Sequence, residues 1–169
     1  WKVIYGSFIT YSYGHINETF IYAASPKIFS VLFSSNHGLI SWNPVIFFSL
    51  LGVLLLFKYH RRIAILFLSA FVLQLYINAS WFEWWFGNSS FGHRAFIDCT
   101  LIFALGLACL VDRLNKFIPL RYLVAGFSVL IVWNMVLILA YLSGTIPQVG
   151  YFRWMDFFSN LSSLPEQIL

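Results

Sequence analysis

The sequence predicts an all-α fold: a polytopic membrane protein of about four transmembrane helices, with interfacial helices on its outer face. Three observations lead there. Hydrophobic residues make up 60% of the 169 residues and charged residues only 9%, where a soluble domain carries about a quarter charged residues. Four apolar runs follow one another, at residues 42–57, 63–77, 95–111 and 122–142. Six of the ten Lys and Arg residues fall in two short segments between these runs, with Lys58, Arg61 and Arg62 in one and Arg113, Lys116 and Arg121 in the other.

Taken in chain order, residues 20–33 are apolar but interrupted by Pro26 and Lys27, which predicts an interfacial or re-entrant piece rather than a fifth span. The run at 42–57 contains Pro44 near its start, where a missing N–H costs a helix nothing. The run at 122–142 has the length of a full span on its own. The three shorter runs have aromatic flanks that can extend each helix into the interface. After the last run, Tyr151, Trp154, Met155, Phe158 and Leu161 recur at helical spacing, with Arg153, Asp156 and Asn160 largely on the other side. That pattern predicts a helix over 151–161 lying in the membrane surface. No repeat or low-complexity linker divides the chain, so residues 1–169 read as one membrane domain. It opens at Trp1 with neither an initiator Met nor a signal-peptide pattern, which leads us to expect part of a longer protein, or a processed one.

The two basic segments are separated by two spans and so share one face, which the positive-inside rule makes cytoplasmic. The N-terminal stretch, residues 78–94 and the tail then face outward. Four Asn-x-Ser/Thr sequons, at Asn17, Asn78, Asn88 and Asn160, all lie on that outer side. The net charge of +4 is confined to short loops between apolar runs, which does not make a nucleic-acid surface. Cys99 and Cys109 fall in one run, about 15 Å apart along a helix, too far to bridge. Ala104, Gly106 and Ala108 in the third run, and Ala125, Gly126 and Ser128 in the fourth, mark close helix packing.

Chemistry-bearing residues gather in two outward segments. The first, residues 32–44, reads Leu-Phe-Ser-Ser-Asn-His-Gly-Leu-Ile-Ser-Trp-Asn-Pro. Its Asn36 and His37, with the hydroxyls of Ser34 and Ser35, suit a phosphate, and equally a capped turn that starts a helix. The second, residues 78–98, carries Trp81, Glu83, Trp84, Trp85, His93, Arg94 and Asp98. The three Trp side chains suit stacking on a sugar or a lipid, and equally an aromatic belt. Arg94 fits phosphate oxygens with a planar set of donors, and alternatively pairs with Asp98 four residues on. An ionisable group such as Asp98 inside an apolar run is a functional candidate. Glu83 and Asp98 are the candidate catalytic carboxylates. His15, His37 and His93 have no metal-ligand spacing, and no metal site is expected.

These two segments resemble the later part of bacterial membrane glycosyltransferases of the GT-C class, which are similar to the protein O-mannosyltransferases and the aminoarabinose transferase of lipid A. The resemblance extends over about residues 1–142 as a pattern of short words. It implies a polytopic enzyme of the bacterial inner membrane, with its site facing the periplasm. A sugar would pass with inversion from a polyprenyl-phosphate donor to an acceptor. The implied partners are membrane lipid, the polyprenyl-phosphate sugar as substrate, and a larger membrane complex, with no nucleic acid and no bound cofactor. Arg94, His93, His37 and Asn36 would hold the donor phosphate, and Trp81, Trp84 and Trp85 would stack on sugar or lipid. In such families a carboxylate of the first outward loop acts as base. This sequence lacks that loop, and none of Glu18, Glu83 and Asp98 can be matched to the base. The alternative is a non-catalytic membrane subunit that packs in a larger complex or binds lipid. A transporter half fits less well, because the spans are nearly free of charge and no broken helix pair occurs.

Overall fold

The computed structural model describes residues 2–8, 20–85, 91–147 and 150–160. His15, Asn17, Glu18, Asn88 and Leu161 lie outside the described residues. The described chain is helical, with no strand among these residues. In order, the helices are α1 (Lys2–Tyr5), α2 (Ile28–Phe33), α3 (Leu39–Trp42), α4 (Val45–Tyr59) and α5 (Arg61–Ser80). A 3₁₀ turn at Arg94–Cys99 runs directly into α6 (Thr100–Leu114), followed by α7 (Leu120–Leu142) and α8 (Trp154–Asn160).

Three segments are long and apolar enough to cross a membrane: Arg61–Ser80, Arg94–Leu114 and Leu120–Leu142, with mean hydropathy of 1.9, 2.0 and 2.4. Only 33%, 28% and 17% of their apolar windows are buried in the protein. The remaining faces carry large apolar side chains, among them Leu66, Leu101, Val129 and Val132, each about two-thirds exposed. Surfaces of that extent need lipid as solvent, and they mark an integral membrane protein.

Helix α4 differs from the expected run at 42–57. Trp42 ends the separate turn α3, and α4 starts only at Val45. The cause is Pro44, whose ring drives the preceding residue out of the helical region; Asn43 sits at φ −127° and ψ 74°. What remains is a helix of 15 residues, about 22 Å long, shorter than the roughly 30 Å hydrocarbon core. Helix α5 is longer than expected. It takes in Arg61 and Arg62 at one end and Ser80 at the other, and His60 alone separates it from α4.

The tightest contact in the fold is the crossing of α4 and α6. A methyl group added at Gly52 would strike the carbonyl of Gly106, and one added at Gly106 would strike the carbonyl of Ser49. Two backbones approach this closely only where side chains are missing. Val53, Phe71, Leu75 and Ile102 fill the space around that crossing. Helix α7 is attached differently. Its C-terminal third packs Leu137 and Ala140 against Trp42, Ile146, Phe152 and Phe157. Asn134 adds an Nδ2–H bond to the Trp42 carbonyl at 3.2 Å. Its N-terminal half instead borders an apolar cleft lined by Phe48, Leu123, Gly126 and Phe127.

The helix in the tail spans Trp154–Asn160, shorter than the expected 151–161 over the described residues. Phe157 is 1% exposed, whereas Met155 and Phe158 are 84% and 57% exposed. Trp154 and Phe157, three residues apart, are drawn together against Trp133, and this fixes the rotation of the helix. Arg153 closes its first turn with two bonds to the Asp156 carboxylate, at 2.9 and 3.0 Å.

Candidate functional site

The loop between α2 and α3 is a knot of backbone hydrogen bonds. The Ser34 carbonyl accepts from Gly38 N–H at 3.1 Å and from Ser41 Oγ at 2.6 Å. Ser34 Oγ accepts from Asn36 N–H at 3.0 Å. The Trp42 indole N–H donates to the Ser35 carbonyl at 2.7 Å, and Ser35 Oγ donates to the Phe152 carbonyl at 2.7 Å. Gly38 is confined at the centre: an added Cβ would collide with Ser34 backbone and Ser41 Oγ. The turn forces His37 to a φ of 59°, a left-handed conformation that costs a residue with a Cβ roughly 1–2 kcal/mol.

This knot turns two polar side chains inward. Asn36 is 3% exposed and His37 is 1% exposed. The His37 ring stacks on Trp42 with centroids 4.6 Å apart. It also meets the second polar segment, where the Gly92 carbonyl lies against the imidazole and His93 stands close enough for the two rings to oppose each other's charge. Next to this contact Phe91 packs edge-on to Trp42 at 5.3 Å. The two segments singled out from the sequence are therefore brought together at one end of the bundle.

His93 is 5% exposed. Its Nε2 lies 2.9 Å from the Trp84 carbonyl; a carbonyl only accepts, so Nε2 carries the proton. Its ring stands edge-on to Phe96 at 4.9 Å. Burial pushes both imidazoles down, each to about 4, against the opposing pull of the carbonyls of Gly92 and Trp84. Both are neutral at physiological pH. The Asn36 carboxamide has no hydrogen-bond partner at either atom, and neither has His37 Nδ1 or Ser80 Oγ. Each such buried group costs about 1–3 kcal/mol while it stays unpaired, so folded proteins nearly always pair them with water or a ligand.

Arg94 is exposed and opens the 3₁₀ turn, two residues beyond the Gly92 carbonyl. The alternative pairing of Arg94 with Asp98 does not form, whereas Arg153 pairs with Asp156. The reason is the winding: at three residues per turn, positions four apart point about 120° away from each other, and the segment from Arg94 to Cys99 is wound that way. Asp98 is exposed, and Glu83 is half-buried in the turn after α5. Trp84 and Trp85 pack edge to face with centroids 5.5 Å apart, and the three Trp side chains each reach a different neighbour as well. Trp81 packs edge-on to Phe20 at 4.9 Å, Trp84 joins the core around Phe96, and Trp85 leans on Tyr151 at 5.9 Å. Asn78 is 5% exposed and donates Nδ2–H to the Gln74 carbonyl at 2.8 Å, so this sequon is a buried helix residue and not a glycan acceptor in the folded protein.

Three residues that organise this end escaped the sequence reading. Trp42 was legible only as the start of a span, yet it touches His37, Phe91 and Phe152. Asn134 and Gln74 are uncharged polar residues inside apolar runs, and each reaches a carbonyl of another segment, Trp42 and Ala95 respectively. A lone amide in a long apolar run was the signal available for both. Compared with protein-family models, curated proteins and solved structures, the chain matches none.

Proposed function

We propose that this protein forms part of a membrane glycosyltransferase of the GT-C kind, which takes its sugar from a polyprenyl-phosphate donor at the outer membrane surface. In this reading α4 is a fourth, short span, and residues 1–169 form one domain. The basic segments face the cytoplasm, the site faces the periplasm of a bacterial inner membrane, and α8 lies at headgroup depth with Met155 and Phe158 toward lipid. What supports it is the meeting of the two outward polar segments, His37 against Gly92 and beside His93, with Arg94 exposed at the rim. A polyprenyl phosphate keeps its chain in hydrocarbon and its charge at that depth. Arg94 stays charged and offers two parallel donors to the phosphate, with His93 beside it in the chain. A carboxylate must still deprotonate the acceptor; Glu83 and Asp98 are the candidates within the chain.

A non-catalytic subunit packing in a larger membrane complex is the second reading, and the poorly covered inner half of α7 favours it. Binding separates the two. In purified protein in lipid nanodiscs, Arg94→Ala should weaken binding of a polyprenyl-phosphate sugar by about 1.5–3 kcal/mol, the worth of a charge-assisted hydrogen bond. Arg94→Lys should weaken it less. Equal affinity of all three proteins, with unchanged folding, overturns the donor site.

A further inference from the structure

We propose that Asn36 and His37 form an uncharged subsite that takes a hydroxylated group, the sugar of the lipid-linked donor, apart from the anion site at Arg94. The proposal rests on the donor reading above and divides its headgroup between two places. The Asn36 carboxamide offers one donor and one acceptor, both buried and both without a partner. His37 Nδ1 adds a buried atom without a partner. The Gly92 carbonyl can accept only a proton held on the other ring nitrogen, so Nδ1 is an acceptor. A hydroxyl both donates and accepts, so a pair of hydroxyls can serve the carboxamide N–H, the carboxamide oxygen and the imidazole nitrogen together. A phosphate does not match. It brings only acceptors and a charge, and entering a buried place without a cation would leave that charge unpaired. The exposed guanidinium of Arg94, two residues from the Gly92 carbonyl, is where a charge can stay hydrated and paired. The indole stacked on His37 locks the imidazole in place, and the hydrogen-bonded turn through Ser34, Gly38 and Ser41 does the same for Asn36. The backbone pays for this turn with the left-handed conformation of His37, and the unpaired amide gives the ligand-free protein nothing in return.

Two lipids test the division: polyprenyl phosphate without sugar, and the same lipid carrying a hexose. In nanodiscs, Asn36→Leu should weaken binding of the hexose-bearing lipid by about tenfold or more, as expected for lost hydrogen bonds to a buried group, and leave binding of the bare phosphate lipid unchanged. Arg94→Ala should weaken both. The melting temperature of ligand-free protein supplies a readout that a structural amide would move the other way. Asn36→Leu should raise it, because it removes an unpaired buried amide at nearly constant shape. A lowered melting temperature, or equal losses for both lipids, overturns the subsite alone. Failure of both lipids to bind the unsubstituted protein overturns the donor reading and the subsite with it.

Discussion

His37 meets two opposing demands. Its backbone sits at a φ of 59°, and its imidazole is buried against Trp42 beside a second imidazole. Burial holds both rings neutral, each with a pKa of about 4 in place of 6.5. The linkage has a definite sign. Above pH 6.5 both rings are neutral folded or unfolded, and the protein keeps its full stability. Between pH 6.5 and 4 the unfolded chain takes up protons that the folded protein refuses, so stability falls as pH falls, by up to about 1.4 kcal/mol per pH unit for each ring. Below 4 the loss is complete. Thermal melts in detergent from pH 7.5 to 4 should show this decline, and His93→Gln should make it shallower. A melting temperature that holds flat across that window would place these rings in water. At this scale the sequence singled out two loops that meet in the fold, because Asn, His and Gly at the start of an apolar run are unusual company for lipid. It could not show that Arg94 and Asp98 stand apart, because that depends on whether the first turn of the helix is 3₁₀ or α.

Among the elements, α4 and α6 depend on each other most. The carbonyls of Ser49 and Gly106 occupy the space where side chains would stand, and no rotamer change can move a backbone carbonyl aside. Gly52→Ala or Gly106→Ala should therefore force the helices apart, at the cost of about 1–3 kcal/mol typical of overpacking. Gly126→Ala, where an added Cβ meets nothing within 4 Å, should be tolerated. Melting temperatures of the three variants check this; similar values for all would mean that the crossing is looser than described. Gly106, between Ala104 and Ala108, was legible in the sequence as a packing position. Gly52 was not, because a single glycine in VIFFSLLGVLLLFKY has no periodic partner. Helix limits were legible to within a few residues except at Pro44, where a residue that suits a helix start also expels its neighbour Asn43. The burial of Phe157 against Trp133 was not legible, because Trp133 belongs to another helix.

At the scale of the whole molecule, the two ends differ in chemistry. One end collects Trp42, Phe91, Tyr141, Phe152, Trp154 and Phe157 in mutual contact, together with the buried polar loops. At the other, residues of both basic segments line one cleft of about 410 Å³, with Tyr59 and His60 from the first and Asp112, Arg113 and Lys116 from the second. An aromatic end and a basic end are what a bilayer with a positive inner side selects. Both basic segments should therefore label only after the membrane is opened, and the aromatic end should label from outside. With Cys99 and Cys109 replaced by Ala, single cysteines at Arg61 and Lys116 should resist an impermeant thiol reagent in intact cells. Cysteines at Arg153, whose side chain is 77% exposed on the polar side of α8, and at Phe33, which is 45% exposed, should react. Phe33 is the decisive position for α4. It precedes the short helix and Arg61 follows it, so labelling of the first without the second means that 15 residues cross the bilayer. A helix this short can do so by thinning the bilayer locally, at a modest cost per ångström of mismatch. The aromatic collar at its outer end extends the apolar surface that the bilayer meets. Labelling of Arg61 or Lys116 from outside would invert the molecule, move the polar loops to the cytoplasmic face and remove the reason to look there for a periplasmic donor.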